Sequence, residues 1–314
     1  MADQMLCFEK IWAPKEISLF TSICSLVISL MSCIGNGIII MAVIKDPYKK
    51  LYTPFNYFLV NLAVSDLIVG CVTMPISVYA HFQEYKGIIT TSGVTLVHLS
   101  QLISGTASLL SLLVLALDRY SAISDAIKYR TTVSWRRCII TSVVIWCVSL
   151  TLPFIQMIIK YINYLTFFVC TAILIGSVVM VTVYFKVNKI VKKQTLDLAK
   201  HYSESEQRAK KKFILKRLTE EHKITKAFFT MTFVYLMIYL PAAVIILLLQ
   251  LCTQCGCTLR HILRDVQFLL ISLTCFTNPF VCTLRSQIFK KAIKNILCGN
   301  NTNGASENEL SSHG

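Results

Sequence analysis

The charged residues of this chain that can act on one another stand at the edges of long uncharged stretches. Asp118-Arg119-Tyr120 closes residues 87–117, which hold no Asp, Glu, Lys or Arg, and Asp66 stands alone inside the apolar stretch 55–80. A charge placed within a bilayer costs roughly 2.5 to 3.5 kcal/mol on insertion scales, so Asp66 is paired, hydrated or protonated, and is a functional position by default. Arg119 is always cationic and lies where a span meets water, so it pairs with its neighbour Asp118 or with an acid on another span. Ion pairs that form and break select between arrangements of helices without making or breaking covalent bonds. The chain is therefore not expected to be an enzyme.

Seven apolar runs must position these charges: 17–44, 55–80, 87–117, 138–159, 161–185, 227–259 and 266–284. About 20 apolar residues cross a bilayer as a helix. Lipid offers the backbone no hydrogen-bond partner, so each run must close its own bonds. The expected fold is an all-α membrane protein, a seven-transmembrane helix bundle with a short amphipathic eighth helix. A soluble helical protein would need polar faces recurring every 3.6 residues, and the runs show almost none.

Composition agrees: 55% of residues are hydrophobic and 15% charged, against roughly 25% charged in soluble domains. The net charge of +15 would suit nucleic acid if it were spread over a domain, but 25 of the 31 Lys and Arg fall within 45–50, 119–137, 186–226 and 285–294. These segments alternate with the others along the chain, so the positive-inside bias sets the N-terminus outside and the C-terminus in the cytoplasm, as for a multi-pass plasma-membrane protein, and nucleic acid is not an expected partner. Residues 1–14 carry Asp3, Glu9 and Lys10 and lack the apolar core of a cleavable signal, so the first span is expected to act as signal anchor. The expected divisions are an extracellular N-terminus, 1–16; a seven-span domain, 17–286; an amphipathic helix, 287–298; and a disordered cytoplasmic tail, 299–314, rich in Asn, Ser, Gly and Glu. The basic segment 186–226 reads both as a solvated helix touching lipid and as a contact for a cytosolic transducer.

Gly35-Asn36, Asn61-Leu62-Ala63-Val64-Ser65-Asp66-Leu67, Asp118-Arg119-Tyr120, Trp146, Pro241 and Asn278-Pro279 occur in that order on the successive spans. Together they resemble the rhodopsin-like G-protein-coupled receptors over about residues 22–298. The resemblance implies an extracellular ligand bound within the bundle, a heterotrimeric G protein as transducer, and arrestin and receptor kinases as further partners. It implies a sodium ion on Asp66, Ser108 and Asn278, with Asn36 nearby, and no other cofactor; the alternative is a protonated Asp66 satisfied by Asn36 and Asn278. It also implies that Glu221, twenty residues before Pro241, holds Arg119 in the inactive state until the sixth span swings outward and Tyr184 meets the freed Arg119. Pro241 and Pro279 each remove a helical hydrogen bond and bend their spans.

Departures from the family pattern narrow the branch. Val94 replaces the usual cysteine of the third span, the connection after Ile159 has no cysteine, Gly176 and Ala126 stand where prolines are common, and Thr283-Leu284-Arg285-Ser286-Gln287 follows the seventh span. This combination looks most like the melanocortin branch and its adenosine, cannabinoid and lysophospholipid relatives. Yet the melanocortin acidic cluster corresponds to Ile76, Val94 and His98, the aspartate of amine receptors to Gln101, the adenine-gripping asparagine to Ile246 and the opsin lysine to Ser272. The expected pocket comprises His98, Gln101, Tyr239 and Phe268, with a neutral, amphipathic or lipid-like ligand favoured over an amine and a peptide next. Tyr239 replaces a tryptophan and Cys282 a tyrosine of the switch, which leaves a receptor-like protein with weakened signalling as one alternative and a transporter or channel as a more distant one.

Thirteen cysteines are present. Cys7, Cys252, Cys255 and Cys257 face the oxidising side, and four cysteines allow three pairings. The melanocortin resemblance implies one bridge inside the third outer loop and one between Cys7 and Cys257. Cys298 follows a basic amphipathic stretch and suits palmitoylation.

Overall fold

The computed structural model describes residues 14–45, 52–88, 91–124, 129, 134–159, 161–201, 208–252, 255–277 and 279. Among the described residues all regular structure is helical. Six helical stretches are long and apolar enough to cross a membrane: Lys15–Ile44, Pro54–Tyr85, Ser92–Ser124, Trp135–Ile155, Asn163–Ile190 and Thr232–Leu251. The seventh span begins with the helix Cys257–Ser272, and its opening turns carry Arg260, Arg264 and Asp265, which lowers its apolar character. The chain is a seven-helix bundle. Residues 1–13, the expected eighth helix 287–298 and the tail 299–314 lie outside the described residues.

Helix ends depart from the apolar runs where other forces decide them. The fifth helix continues through lysines to His201 and the sixth starts at Arg208, well beyond the apolar limits 185 and 227, because Lys, Arg and Glu are good helix formers in water. The sixth ends at Leu251 rather than at 259. A Cys252–Cys255 disulfide turns the chain there, and Gly256 caps the next helix, so Leu259 belongs to the seventh span. In the second span, Pro75 has no N–H to give to the preceding turn, and a π-helical turn, Val69–Thr73, takes up the extra residue before Met74–Tyr85 resumes.

The first two spans are joined by a polar seam. Ser18, Ser22, Ser25, Ser29, Ser32 and Asn36 recur at alternating intervals of four and three, and all are buried. Ser22 Oγ donates to the Val78 carbonyl at 3.2 Å, Ser25 and Ser77 hydroxyls meet at 3.1 Å, Ser29 Oγ donates to the Gly70 carbonyl at 2.7 Å, and Ser32 Oγ donates to the Asp66 carbonyl at 2.9 Å. Small hydroxylated residues let two backbones approach and bond across the gap. The polar face that the apolar runs were expected to lack is therefore present in the first span and turned inward, while Phe20, Ile23, Leu30 and Ile34 on the reverse face are more than half exposed to the surrounding medium.

The third span is the most buried of the six. Leu102, Leu115 and Ala116 along it pack into a core shared with Leu59, Tyr239 and Ile246. The seventh span comes against the first at Gly35, where an added Cβ would lie 2.9 Å from Pro279 Cγ. Overpacking of this kind costs about 1 to 3 kcal/mol. Gly35→Ala is expected to lower the thermal midpoint of the purified protein, whereas Gly37→Ala, whose Cβ would meet nothing within 4 Å, is expected to leave it unchanged or raise it slightly. Equal behaviour of the two variants would show that the Pro279 contact does not limit packing.

Candidate functional site

At one mouth of the bundle, Arg119 donates twice to Asp118 Oδ2, from Nη2 at 2.7 Å and Nε at 3.1 Å, and its guanidinium lies 4.5 Å from the centre of the Phe55 ring. Tyr129 donates to the other carboxylate oxygen, Asp118 Oδ1, at 2.5 Å. Both members of the pair are buried. Tyr120 carries Lys186 Nζ 5.1 Å over its ring, so the third and fifth spans meet here. Tyr184 is 46% exposed and packs edge-on against Phe229 of the sixth span at 5.2 Å, a position from which it is separate from the Asp118 pair. Glu221 lies within the sixth helix, and its side chain is outside the described residues.

Midway through the bundle, Asp66 is 2% exposed and accepts from Ser108 Oγ at 3.2 Å, while the Ser65 and Ser108 hydroxyls meet at 2.8 Å. Asn278 lies outside the described residues. Asn36 gives its amide to the Cys275 carbonyl at 2.8 Å and the Ser32 carbonyl at 3.0 Å rather than to Asp66, which ties the first span to the seventh and removes it as the satisfier of that carboxyl. Asn61 links three spans, donating to Ser111 Oγ at 2.9 Å and accepting from Trp146 Nε1 at 2.9 Å. Pro241 sits inside the unbroken helix Arg208–Leu251.

Toward the other mouth, Gln101, Tyr239 and Phe268 line one cavity with Gln267, Phe168 and Ile271. His98, one turn farther along the third span, is not among the lining residues, and it stands within electrostatic reach of His81 and Arg264 instead. The Gln101 carboxamide oxygen is buried without a hydrogen-bond partner. Tyr239 is 1% exposed and stacks on Tyr235 with ring centres 4.1 Å apart, which fills the floor of the cavity.

Above it lies a cluster of charges that the apolar runs did not suggest. Glu84 Oε2 accepts from Ser18 at 3.1 Å and lies 3.1 Å from His81 Nδ1. Arg264 reaches Glu84 at 3.5 Å and Asp265 at 2.7 Å. Asp265 in turn accepts from Thr21 at 3.0 Å and lies 3.9 Å from His81. Asp66 is thus not the sole acid within the bundle, since Asp265 is 3% exposed. The legible signal was His81-x-x-Glu84, three residues apart on one helix face, together with the adjacent Arg264-Asp265. Next to this cluster, Cys252 and Cys255 are disulfide-bonded, and Arg260 clamps their loop by donating to the Cys252 carbonyl at 2.6 Å and the Cys255 carbonyl at 3.2 Å. Cys257 is also disulfide-bonded; Cys7 and Cys298 lie outside the described residues.

Residues 35–163 match the family model described as 7 transmembrane receptor (rhodopsin family). Over those residues the chain is similar to rhodopsin-family receptors. The 5-hydroxytryptamine receptor 2C of Mus musculus is 25% identical over 338 residues, 90% of this chain and 73% of that receptor. Dopamine receptor 4 of Caenorhabditis elegans is 31% identical over 156 residues, 46% of this chain and 29% of that protein, and dopamine receptor 2 of Drosophila melanogaster is 34% identical over 126 residues, 40% and 23%. The melanocortin-like affiliation gains no support from these relatives. The matched family and these relatives are receptors rather than enzymes, and the similarity agrees with the six membrane-length apolar helices in describing a multi-pass membrane protein.

The charge cluster joins the first, second and seventh spans. Removing one member of a buried ion pair costs about 3 to 5 kcal/mol because the other is left uncompensated, and the one-quarter exposure of the Arg264 side chain reduces that to roughly 2 to 3 kcal/mol. Asp265→Asn is expected to lower the melting temperature of the purified protein, and Arg264→Met in the same molecule to recover part of the loss. Additive losses in the double variant would show that the two residues are not energetically coupled.

Proposed function

We propose that this receptor sits in the plasma membrane with its N-terminus outside, binds a neutral amphipathic ligand in the cavity of Gln101, Tyr239 and Phe268, and promotes nucleotide exchange on a heterotrimeric G protein. The carrying observation is the Gln101 carboxamide oxygen, buried in the cavity wall without a partner. A buried acceptor left unpaired costs about 1 to 3 kcal/mol, which a ligand hydroxyl or amide N–H would recover. The remaining lining is aromatic, aliphatic or neutral amide, with no Asp or Glu among the residues lining the cavity. A ligand ammonium would enter this dry site without a counter-ion. The distribution of Lys and Arg supports the orientation.

In this reading the Asp118–Arg119 pair is the resting state of the switch, and Glu221 adds a second restraint from the sixth span. Outward movement of that span about Pro241 would free Arg119 and open the mouth to the G protein. The Asp66 and Ser108 oxygens suit a hard cation such as sodium, with Asn278 completing the set. The seven-span core 17–286, the amphipathic helix 287–298 with Cys298 palmitoylated, the tail 299–314, and engagement of arrestin and receptor kinases belong to the same proposal, as does a Cys7–Cys257 bridge. A second reading, an amine ligand, is favoured by the names of the relatives, serotonin and dopamine receptors. It would have to use Asp265 or Glu84, both already engaged by Arg264.

Cells expressing the receptor, challenged with neutral lipid-like compounds, amines and peptides while cAMP and calcium are recorded, separate the readings. The expected agonist is neutral, and Gln101→Ala and Phe268→Ala each weaken its potency roughly five- to thirtyfold at unchanged surface expression. An amine agonist whose potency neither substitution alters would place the ligand elsewhere.

A further inference from the structure

Two thiols meet on the outward side of the first two spans. Cys33 Sγ and Cys71 Sγ lie 3.2 Å apart; both cysteines are free, with Cys71 exposed and Cys33 half-buried beside it. Their sequence neighbours Ile34 and Val72 are 62% and 43% exposed, so in a membrane the pair borders acyl chains. A thiol is a weak donor and a weak acceptor, and the contact adds little to the serine bonds that already join these spans.

The surrounding backbone holds the sulfurs together. Ser29 donates to the Gly70 carbonyl at 2.7 Å and Ser32 to the Asp66 carbonyl at 2.9 Å, which fixes the two helices next to the pair. A Cβ on Gly70 would lie 2.9 Å from Cys33 Sγ, so the missing side chain at that position leaves the thiol its place. Cys71 sits in the π-helical turn Val69–Thr73, a backbone form often found at functional sites. A disulfide needs about 2.0 Å between its sulfurs, roughly 1 Å closer than here, a distance that small side-chain rotations close.

The depth of the pair selects the oxidant. Cys33 stands about 5 Å of helical rise from the midpoint of Lys15–Ile44, within the hydrocarbon core rather than among the headgroups. A water-soluble oxidant would have to give up its hydration to arrive there, whereas a hydroperoxide on an unsaturated acyl chain forms at that depth. We propose that Cys33 and Cys71 are an oxidisable dithiol that reduces a lipid hydroperoxide of the surrounding bilayer and closes as a disulfide between the first and second spans. Cys71, the more exposed, reacts first: its sulfur takes the terminal oxygen as the O–O bond breaks, the thiol proton goes to the remaining lipid oxygen, and a sulfenic acid and a lipid alcohol result. Cys33 Sγ then attacks Cys71 Sγ, the S–O bond breaks, and the departing hydroxide leaves as water with the Cys33 proton. Two thiols thus supply the two electrons that the peroxide accepts. The chemistry does not depend on which ligand or transducer the bundle takes.

The test places the full-length protein in nanodiscs containing a polyunsaturated phosphatidylcholine hydroperoxide, with the corresponding lipid alcohol, and separately aqueous hydrogen peroxide at equal concentration, as comparisons. Non-reducing peptide mapping is expected to show Cys33 linked to Cys71, two hydrogen atoms lighter than the free peptides, with one lipid alcohol formed per bridge and the thiols restored by dithiothreitol. With dimedone present, Cys33→Ala should carry the adduct on Cys71, because the sulfenic acid then has no resolving thiol. In the unaltered protein, the absence of the linked peptide, equal bridging in the lipid alcohol, or faster bridging by hydrogen peroxide than by the lipid hydroperoxide overturns the proposal, whether or not the variant folds.

Discussion

Polar side chains buried between helices in a bilayer must find partners on neighbouring helices, because no water is available to take their place. In this bundle that constraint is met first along the seam of Ser18, Ser22, Ser25, Ser29 and Ser32, each bonded to the second span. Such interhelical bonds average about 0.6 kcal/mol in membranes, so five amount to roughly 3 kcal/mol, enough to choose a register but not to drive the fold. The register has consequences at both ends. It brings Ser18 to Glu84 and sets Ser32 against the Asp66 backbone, while Asn36 carries the alignment across to the seventh span.

The remaining polar groups divide by what they can do. Asn61, Ser111 and Trp146 form a closed set in which each partner is used, which suits a rigid strut. The Asp118–Arg119 pair is also buried, but desolvation offsets much of its attraction, and such pairs are weak evidence for stability. Its two donors converge on one carboxylate oxygen while Tyr129 occupies the other. Arg119 is thus held by its own neighbour in sequence, a contact that survives only while the surrounding helices exclude competing partners and water. This arrangement fits a bias between states better than a brace.

Much of this was legible in the residues. The seven spans followed from the absence of charge, since the cost of burying charge in lipid is large and local, and the positions of Asn61, Trp146 and Asp118 followed from ordered motifs. Three of the four expected pocket residues share a cavity because they face inward from different spans at one depth; His98 falls with the charge cluster instead. The serine seam was overlooked because Ser scarcely alters mean hydropathy, although its heptad-like spacing was present. The cluster of His81, Glu84, Arg264 and Asp265 lay hidden because its members are separated by about 180 residues and look like ordinary loop charges until the second and seventh spans come together. The sixth span's end was misplaced since Cys252 and Cys255 count as apolar residues, whereas their disulfide turns the chain.

The central claim is that Arg119 at rest is held by Asp118 and that its release permits signalling. It is tested most directly by the rate at which purified receptor in nanodiscs, without agonist, promotes guanine-nucleotide uptake by purified heterotrimeric G proteins, compared between the unaltered chain and Asp118→Asn. Asn is isosteric but uncharged, so it weakens the restraint on Arg119 while preserving the packing around Phe55. The account predicts faster basal uptake for Asp118→Asn at equal receptor concentration. Uptake that is equal or slower, with the variant folded and the unaltered receptor active, would contradict it.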